Sequence, residues 1–208
     1  MNIHSCLLQG EIVLSKRKGQ KFDQIIDAAV LVIAKHGFHQ AQVSKIAKEA
    51  GVADGTIYLY FKNKEDILIS LFDEKMGAFV ETSKLKIEKE KTIEDKLKVL
   101  ISSHFSQLEK DYHLAVVTQL ELRQSKVELR QRINQVLKGY LLLIDEIVQE
   151  GKEHGTFYVD LDPLLARQMI FGTLDEVVSN WVMSEGKFSL KKQTHTVQKM
   201  LLHGLTGR

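Results

Sequence analysis

The sequence predicts an all-α fold. It has one proline in 208 residues, whereas folds made of many short strands need a turn signal about every ten residues. Apolar residues instead recur at the three- and four-residue spacing of a helix face. In the first such segment they are Phe22, Ile25, Ile26, Ala29 and Ile33. We therefore expect about nine helices and no sheet.

Helix boundaries follow from turn and capping signals. Gly37 is expected to end the first helix, because glycine takes up the positive φ that a helix end often needs. Asn63, Thr92 and Asp162 precede later helices, and Pro163 suits a first helical turn. After the first helix, the predicted helices cover residues 43–50, 55–61, 65–89, 93–110, 113–123, 127–151, 162–184 and 190–205.

Charge is unevenly distributed along the chain. Residues 16–64 contain nine Lys or Arg against four Asp or Glu, and residues 65–208 contain twenty against twenty-two. A basic head on a near-neutral body is typical of a nucleic-acid-binding domain joined to another domain, although a solvated lysine-rich face gives the same count. Lys16, Arg17 and Lys18 form a basic arm, which either contacts DNA or is only solvated.

Residues 43–61 follow the pattern of a helix-turn-helix. Small Ala47 allows the second helix to approach the first, and Gly51 suits the turn between them. Val52 and Ile57 are apolar where the two helices meet. An ordinary helical hairpin is the alternative. Asp54 either caps the second helix or accepts a hydrogen bond from cytosine N4.

The run IAKEAGVADGTIYLYFKNKEDIL resembles the TetR family of bacterial transcription repressors, and this resemblance covers residues 22–71. It implies a positioning helix over 43–50 and a recognition helix over 55–61 in the DNA major groove. It also implies phosphate or base contacts, at positions that here are Gln42, Ser44, Asp54, Gly55, Thr56, Tyr58, Leu59, Tyr60 and Lys64. We predict a flexible basic segment over 1–18, a DNA-binding domain over 19–65, and an effector-binding and dimerisation domain over 66–208.

The segment from residue 162 to 184 is apolar around most of its circumference. Leu165, Met169 and Gly172 lie on one side, and Ile170 and Leu174 lie on another. A helix that is apolar all round must be covered on two sides. The partner subunit of a homodimer is one expected cover, and the alternative is a central core helix of a monomer.

Basic residues cluster where two helices of the body meet. Arg123, Lys126 and Arg130 suit the recognition of phosphate. The alternative is salt bridging with Glu121 and Glu128. His104 lies on an apolar stripe with Leu97, Leu100, Ile101, Phe105 and Leu108, and it is expected to be an interior histidine rather than a ligand contact. Leu114, Val117 and Leu120 form a further apolar stripe, and both stripes are expected to be mostly core.

The runs HLAVVTQLELRQS, LRQRINQVLKGYL and LARQMIFGTLDE resemble, within the same family, the regulators of fatty-acid degradation in Bacillus and related bacteria. This resemblance implies a homodimer that binds a palindromic double-stranded operator and is released by long-chain acyl-CoA, with no cofactor. The CoA phosphates would lie near Arg123, Lys126 and Arg130. The expected walls for the acyl chain are Phe105, Tyr140, Met169, Phe171 and Trp181.

Other function classes have less support in the sequence. The alternative within the same family is a repressor that responds to another hydrophobic small molecule, a drug or a metabolite. An acyl-CoA-handling enzyme is disfavoured, because no serine, cysteine or histidine stands in a nucleophile arrangement, and no metal site is expected. Cys6 is the only cysteine, and the longest apolar stretch, LLLI at residues 141–144, is too short for a membrane span. We expect a cytoplasmic protein with no membrane partner.

Overall fold

The computed structural model describes residues 19–207, which form nine helices and no strand. The prediction of an all-α fold is therefore confirmed. The predicted basic segment over 1–18, with Cys6 and the arm Lys16 to Lys18, lies outside the described residues. The helices are α1 (Gln20–Gln40), α2 (Val43–Glu49), α3 (Asp54–Tyr60), α4 (Lys64–Ile87), α5 (Ile93–Lys110), α6 (Tyr112–Glu121), α7 (Val127–Glu153), α8 (Pro163–Met183) and α9 (Leu190–Thr206).

The chain divides into two compact units between Leu71 and Phe72. Helix α4 begins in the first unit and continues into the second. One helix therefore contributes side chains to both units.

The apolar face that the sequence predicts for the first helix forms part of the core of the first unit. Phe22, Ile25, Ile26, Ala29 and Ile33 are all buried, and α1 is interrupted at Gly37, which has φ 71° and ψ 154°.

The helix-turn-helix has the predicted geometry at its turn. Ala47 and Ile57 are buried where α2 and α3 pack. Gly51 has φ 66°, which L side chains rarely adopt. The Val52 N–H donates to the Ala47 carbonyl at 3.0 Å, so the chain turns directly from α2 toward α3.

The second unit is built around α5, whose predicted apolar stripe is buried throughout: Leu97, Leu100, Ile101, His104, Phe105 and Leu108. Lys96 on α5 pairs with Glu150 on α7 at 2.5 Å, and Arg167 on α8 pairs with Asp145 on α7 at 2.7 Å. The prediction that Leu120 belongs to a buried stripe is wrong, because it is 59% exposed. It lies six residues after Leu114, about 120° away around the helix.

Capping side chains begin several helices where the sequence indicated. Asn63 Oδ1 accepts from the Asp66 N–H at 2.8 Å, Thr92 Oγ1 from the Asp95 N–H at 3.1 Å, and Asp162 Oδ1 from the Leu165 N–H at 2.9 Å. Each bond satisfies a backbone donor that has no partner inside its helix.

Within residues 19–207, every helix is too short or too polar to reach across a lipid bilayer.

Candidate functional site

Helix α3 has one buried side and one exposed side. Ile57 is 1% exposed, whereas Tyr58 is 59% and Leu59 is 70% exposed. Asp54 and Gly55 are also exposed, and a spacing of four residues places them on the faces of Tyr58 and Leu59 respectively. The exposed side thus presents a ring, an aliphatic group and a carboxylate beside a glycine that leaves the backbone accessible.

Tyr58 and Tyr60 differ in burial, as their spacing in a helix requires. The Tyr60 ring lies 6.3 Å from both the Phe22 and Phe61 rings and is half-buried. Thr56 is likewise half-buried. Of the two tyrosines, Tyr58 is therefore the more accessible to a large ligand such as DNA.

Asp54 does not cap the recognition helix, so that alternative is corrected. The helix begins at Asp54 itself, and its N-cap is Ala53, which has no side-chain hydrogen bond to offer. The Asp54 carboxylate instead occupies the first turn, where a negative charge interacts favourably with the helix dipole.

The other predicted DNA-contact residues lie at the starts of α2 and α4. Gln42 and Ser44 are exposed. The Lys64 ammonium donates to the His39 carbonyl at 2.9 Å and lies 4.7 Å from the centre of the Phe38 ring. A phosphate contact by Lys64 would therefore share an ammonium that already ties α4 to the end of α1.

The second unit contains a small apolar cavity of about 40 Å³. Its walls come from α4, α5, α6, α7 and α8. Of the predicted acyl-chain walls, Tyr140 and Phe171 line it. The remaining lining residues are Phe72, Lys75, Met76, Phe79, His104, Gln107, Leu108, Leu114, Thr118, Gln119, Leu122, Leu137 and Asp175.

An aromatic cluster forms one wall of this cavity. The Tyr140 ring centre lies 5.3 Å from that of Phe79, 5.5 Å from that of His104 and 6.1 Å from that of Phe171. Tyr140 Oη and His104 Nδ1 share a hydrogen bond at 2.9 Å. The His104 Nε2 atom is buried with no hydrogen-bond partner among the described residues.

Burial determines the ionisation of this pair. Loss of solvent lowers the pKa of His104 to about 4, an effect that the negative charge of Asp175 partly offsets. Burial and the same charge both raise the pKa of Tyr140. Both side chains are therefore neutral near pH 7, so the cavity wall carries polar atoms without charge. His104 is interior, as expected, but only one of its two ring nitrogens, Nδ1, has a hydrogen-bond partner among the described residues.

Two of the predicted arginines make defined contacts in the protein. Arg123 forms an ion pair with Asp175, which is buried beside the cavity. Arg130 donates to the Gln124 carbonyl at 3.0 Å. The salt-bridge alternative named Glu121 as a partner, but Arg123 pairs with a carboxylate of α8.

Several other predicted ligand residues lie away from this cavity. Phe105 is fully buried, and Trp181 donates from Nε1 to the Phe188 carbonyl at 2.6 Å. Met169 is 36% exposed, and Lys126 immediately precedes α7. None of these four is among the residues that line the 40 Å³ cavity.

The contribution of α4 to the cavity was not predicted from the sequence. Phe72, Met76 and Phe79 follow the i, i+4, i+7 spacing of one helix face. That spacing is visible in the sequence and was the signal available.

An exposed apolar surface runs along α8 and α9. Leu165 is 62% exposed and Met200 is 68% exposed. A Cβ atom at Gly204 would lie 3.3 Å from Met169 Cε, so glycine allows the side chain from α8 to approach α9 closely. The opposite side of α8, with Ile170 and Leu174, is fully buried. The helix thus has the two apolar sides that the sequence predicted.

The part of the chain covered by the structure contains no group of three or more His, Cys, Asp or Glu side chains that is arranged to hold a metal ion.

Residues 25–71 match the family model for bacterial regulatory proteins of the tetR family, and residues 72–204 match that for the C-terminal region of YsiA-like proteins. A fatty acid metabolism regulator protein of Bacillus subtilis (strain 168) is 59% identical over 193 residues, which cover 93% of this chain and 100% of that protein.

Two solved structures share the fold at high sequence identity. One is the fatty acid degradation regulator FadR from Bacillus halodurans, with 64% identity and a TM-score of 0.86. The other is the transcriptional regulator FadR from Bacillus subtilis in complex with stearoyl-CoA, with 59% identity and a TM-score of 0.86. Each comparison covers 88% of this chain and 99% of the other.

Proposed function

The chain belongs to the tetR family of bacterial regulatory proteins, and from that premise we propose that it represses fatty-acid degradation genes and leaves its operator when a long-chain acyl-CoA binds. The observation that carries the effector assignment is the apolar, aromatic-walled cavity of the second unit. It lies in a chain that is 59% identical to a regulator solved with stearoyl-CoA.

DNA recognition is assigned to the exposed side of α3. The Tyr58 ring and hydroxyl can reach phosphate or base edges, and Leu59 offers apolar contact, for example to a thymine methyl group. Asp54 can accept a hydrogen bond from cytosine N4. Gly55 lets the backbone approach the duplex closely. Thr56 and Tyr60, which are half-buried, would contact the duplex through the atoms that remain exposed.

Phosphate contacts that fix the orientation on DNA are assigned to the helix starts. Gln42 and Ser44 stand at the beginning of α2, and Lys64 stands at the beginning of α4. Contacts of this kind position a protein on the duplex without reading its sequence. They accompany the base contacts of α3.

The dimer is assigned to the apolar surface of α8 and α9. Leu165, Met169 and Met200 expose apolar side chains there in the single chain, and covering them against a second copy removes them from water. Two recognition helices of such a dimer must lie about 34 Å apart to enter successive major grooves. A palindromic operator mirrors this two-fold arrangement.

Release is proposed to follow from enlargement of the cavity. A volume of about 40 Å³ accommodates about three water molecules, so the lining side chains must move for a long acyl chain to enter. Phe72, Met76 and Phe79 lie on α4, whose residues 64–71 belong to the first unit. A displacement of α4 therefore also moves its residues 64–71, which are part of the DNA-binding unit.

Within the cavity, Tyr140 and Phe171 are proposed as acyl-chain walls. Arg123 is proposed to be part of the effector site at the cavity edge, where it forms an ion pair with the cavity-lining Asp175. No catalytic step is proposed, and the site of action of a chromosomal regulator is the cytoplasm.

The test measures operator binding with and without effector. Fluorescence anisotropy with palindromic DNA obtained by selection should show a loss of affinity of about a hundredfold at saturating stearoyl-CoA, which corresponds to about 2.7 kcal/mol of coupling, and no loss with free CoA. Unchanged operator affinity with stearoyl-CoA would refute the effector assignment and leave the repressor assignment standing.

A pair of matched variants tests the DNA surface. Leu59→Ala should weaken operator binding without changing the affinity for stearoyl-CoA. The control Leu85→Ala alters a leucine of similar exposure, 62% against 70%, on α4 in the second unit. Equal operator affinities for the two variants would contradict the role of α3.

A further inference from the structure

Helix α1 changes direction before it ends. Gly37 has φ 71° and ψ 154°, which interrupts the helical backbone, and the Ala41 N–H donates back to the Gly37 carbonyl at 3.0 Å. Residues 38–42 therefore form a short connection between the main part of α1 and the start of α2. Gln42 and Ser44, two of the proposed phosphate contacts, stand where this connection enters α2. Movement of the connection thus shifts groups that are proposed to hold the duplex.

The first residue of α4 holds this connection. The Lys64 ammonium donates to the His39 carbonyl at 2.9 Å and lies 4.7 Å from the centre of the Phe38 ring. A cation at this distance over a ring face is attracted by the ring quadrupole. Phe38 is 4% exposed, so water is partly excluded and the attraction is stronger than at an exposed site. Two interactions therefore attach the start of α4 to the segment that leads into α2.

The start of α4 is fixed by its own hydrogen bonds. Asn63 Oδ1 accepts from the Asp66 N–H at 2.8 Å, which caps the helix. Asp66 Oδ2 in turn accepts from the Lys62 N–H at 3.0 Å. The backbone on both sides of Lys64 is thus tied to the first turn, so Lys64 moves together with its helix.

The same helix reaches the apolar cavity. Phe72, Met76 and Phe79 of α4 line that cavity, and Phe72 lies eight residues after Lys64, which is about 12 Å along the helix axis. Because α4 is one continuous helix, a displacement that a ligand forces on the cavity wall extends to Lys64. The ammonium then pulls on, or separates from, the connection between α1 and α2.

We propose that the contact of Lys64 with the Phe38 ring and the His39 carbonyl transmits effector binding from α4 to α2. Lys64 is in this role a positioning residue, in addition to its proposed phosphate contact. The inference rests on the proposed function and specifies which side chains couple the two units. A contact that only stabilised the first unit would leave the ratio of operator affinities with and without effector unchanged, because that ratio measures the coupling.

The test measures this ratio for Phe38→Leu, which removes the ring face and keeps an apolar side chain. Operator affinity is measured by fluorescence anisotropy with and without saturating stearoyl-CoA. The control is Phe22→Leu, the same change at a ring of α1 that is 7% exposed and stacks on the Phe61 ring. Thermal unfolding checks that both variants are folded, and calorimetry without DNA measures their affinity for stearoyl-CoA.

Phe38→Leu should reduce the loss of operator affinity at saturating stearoyl-CoA from about a hundredfold to about tenfold, because one partly desolvated cation–π interaction accounts for about such a factor. Its affinity for stearoyl-CoA in the absence of DNA should change less than about twofold, since the cavity is unaltered. Phe22→Leu should still lose about a hundredfold of operator affinity with the effector.

Variants of Lys64 give a second measurement, which does not require Phe38→Leu to fold. Lys64→Arg keeps a cation that can lie over the ring and should retain release, whereas Lys64→Met should lose much of it. Lys64→Met also removes a proposed phosphate contact, so it should bind the operator more weakly even without effector. The double variant separates the two roles. Phe38→Leu should cause no further loss of release in the Lys64→Met protein, because both changes remove the same contact.

Release of about a hundredfold in both Phe38→Leu and Lys64→Met would overturn this inference and leave the proposed function intact. An equal reduction of release in Phe38→Leu and Phe22→Leu would also overturn it, because lower stability of the first unit would then explain the effect. If stearoyl-CoA did not release the unaltered protein, the proposed function itself would fail, and this inference with it.

Discussion

Stability should fall between pH 7 and pH 5 because His104 is buried in neutral form. Its ordinary pKa is 6.5, and burial lowers this to about 4 in the folded protein. Between these values the unfolded chain binds a proton that the folded chain does not, so acidification favours unfolding. The linkage relation gives a loss of about 2 kcal/mol on going from pH 7 to pH 5, and about 3 kcal/mol once both states are protonated.

The assay is urea unfolding of the unaltered protein and the His104→Gln variant at pH 7 and pH 5. Protein concentration must be fixed, because dimer stability depends on it. The variant is expected to be less stable at both pH values, but its loss between them should be smaller by about 2 kcal/mol. His195→Gln removes an exposed histidine and should leave the pH dependence unchanged.

Equal losses of the free energy of unfolding between pH 7 and pH 5 in the unaltered protein and His104→Gln would contradict a lowered pKa of His104. That outcome would mean that the folded protein protonates His104 near its ordinary pKa. The partnerless Nε2 atom would then have access to solvent or to an anion.

Three further predictions concern packing, capping and assembly. Gly151→Ala should destabilise the protein by about 1–3 kcal/mol, because the new Cβ would lie 2.3 Å from Phe157 Cδ2; Gly77→Ala, where a Cβ meets nothing within 4 Å, should not. Thr92→Ala should cost about 1 kcal/mol through loss of the α5 cap, measured by thermal unfolding. Leu165→Lys should weaken the dimer in sedimentation equilibrium and abolish tight operator binding. The control Val159→Lys alters a residue that is 76% exposed outside α8 and α9, and it should do neither. A Leu165→Lys protein that remains dimeric would place the interface elsewhere.

Local signals in the sequence were sufficient for the helices and for the first unit. Phe22, Ile25 and Ile33 repeat at the helical spacing and are buried, since one apolar face of a helix must pack. The turn at Gly51 was also predictable, because it depends on backbone conformation at one residue. The role of Asp54 was not predictable in this way. A shift of one residue in the start of the helix decides whether Asp54 is the N-cap or the first helical residue.

The ligand-binding side was less predictable, because a cavity depends on residues far apart in the chain. Tyr140 and Phe171 line the apolar cavity, whereas Phe105 belongs to the closed core although it has the same helical pattern. Periodicity identifies the buried face of a helix but does not distinguish close packing from a cavity wall. Leu120 shows a related limit. In a short helix, the few apolar residues do not define which part of the circumference is buried.

The sequence by itself determined the all-α architecture, the helix-turn-helix and the family, since these follow from local spacing and from a contiguous motif. Only the tertiary structure decided the partners of the charged groups. Arg123 pairs with Asp175, 52 residues away, and Lys64 contacts the Phe38 ring and the His39 carbonyl. The physical reason is that such contacts are set by distances in space, which helix packing fixes and sequence spacing does not.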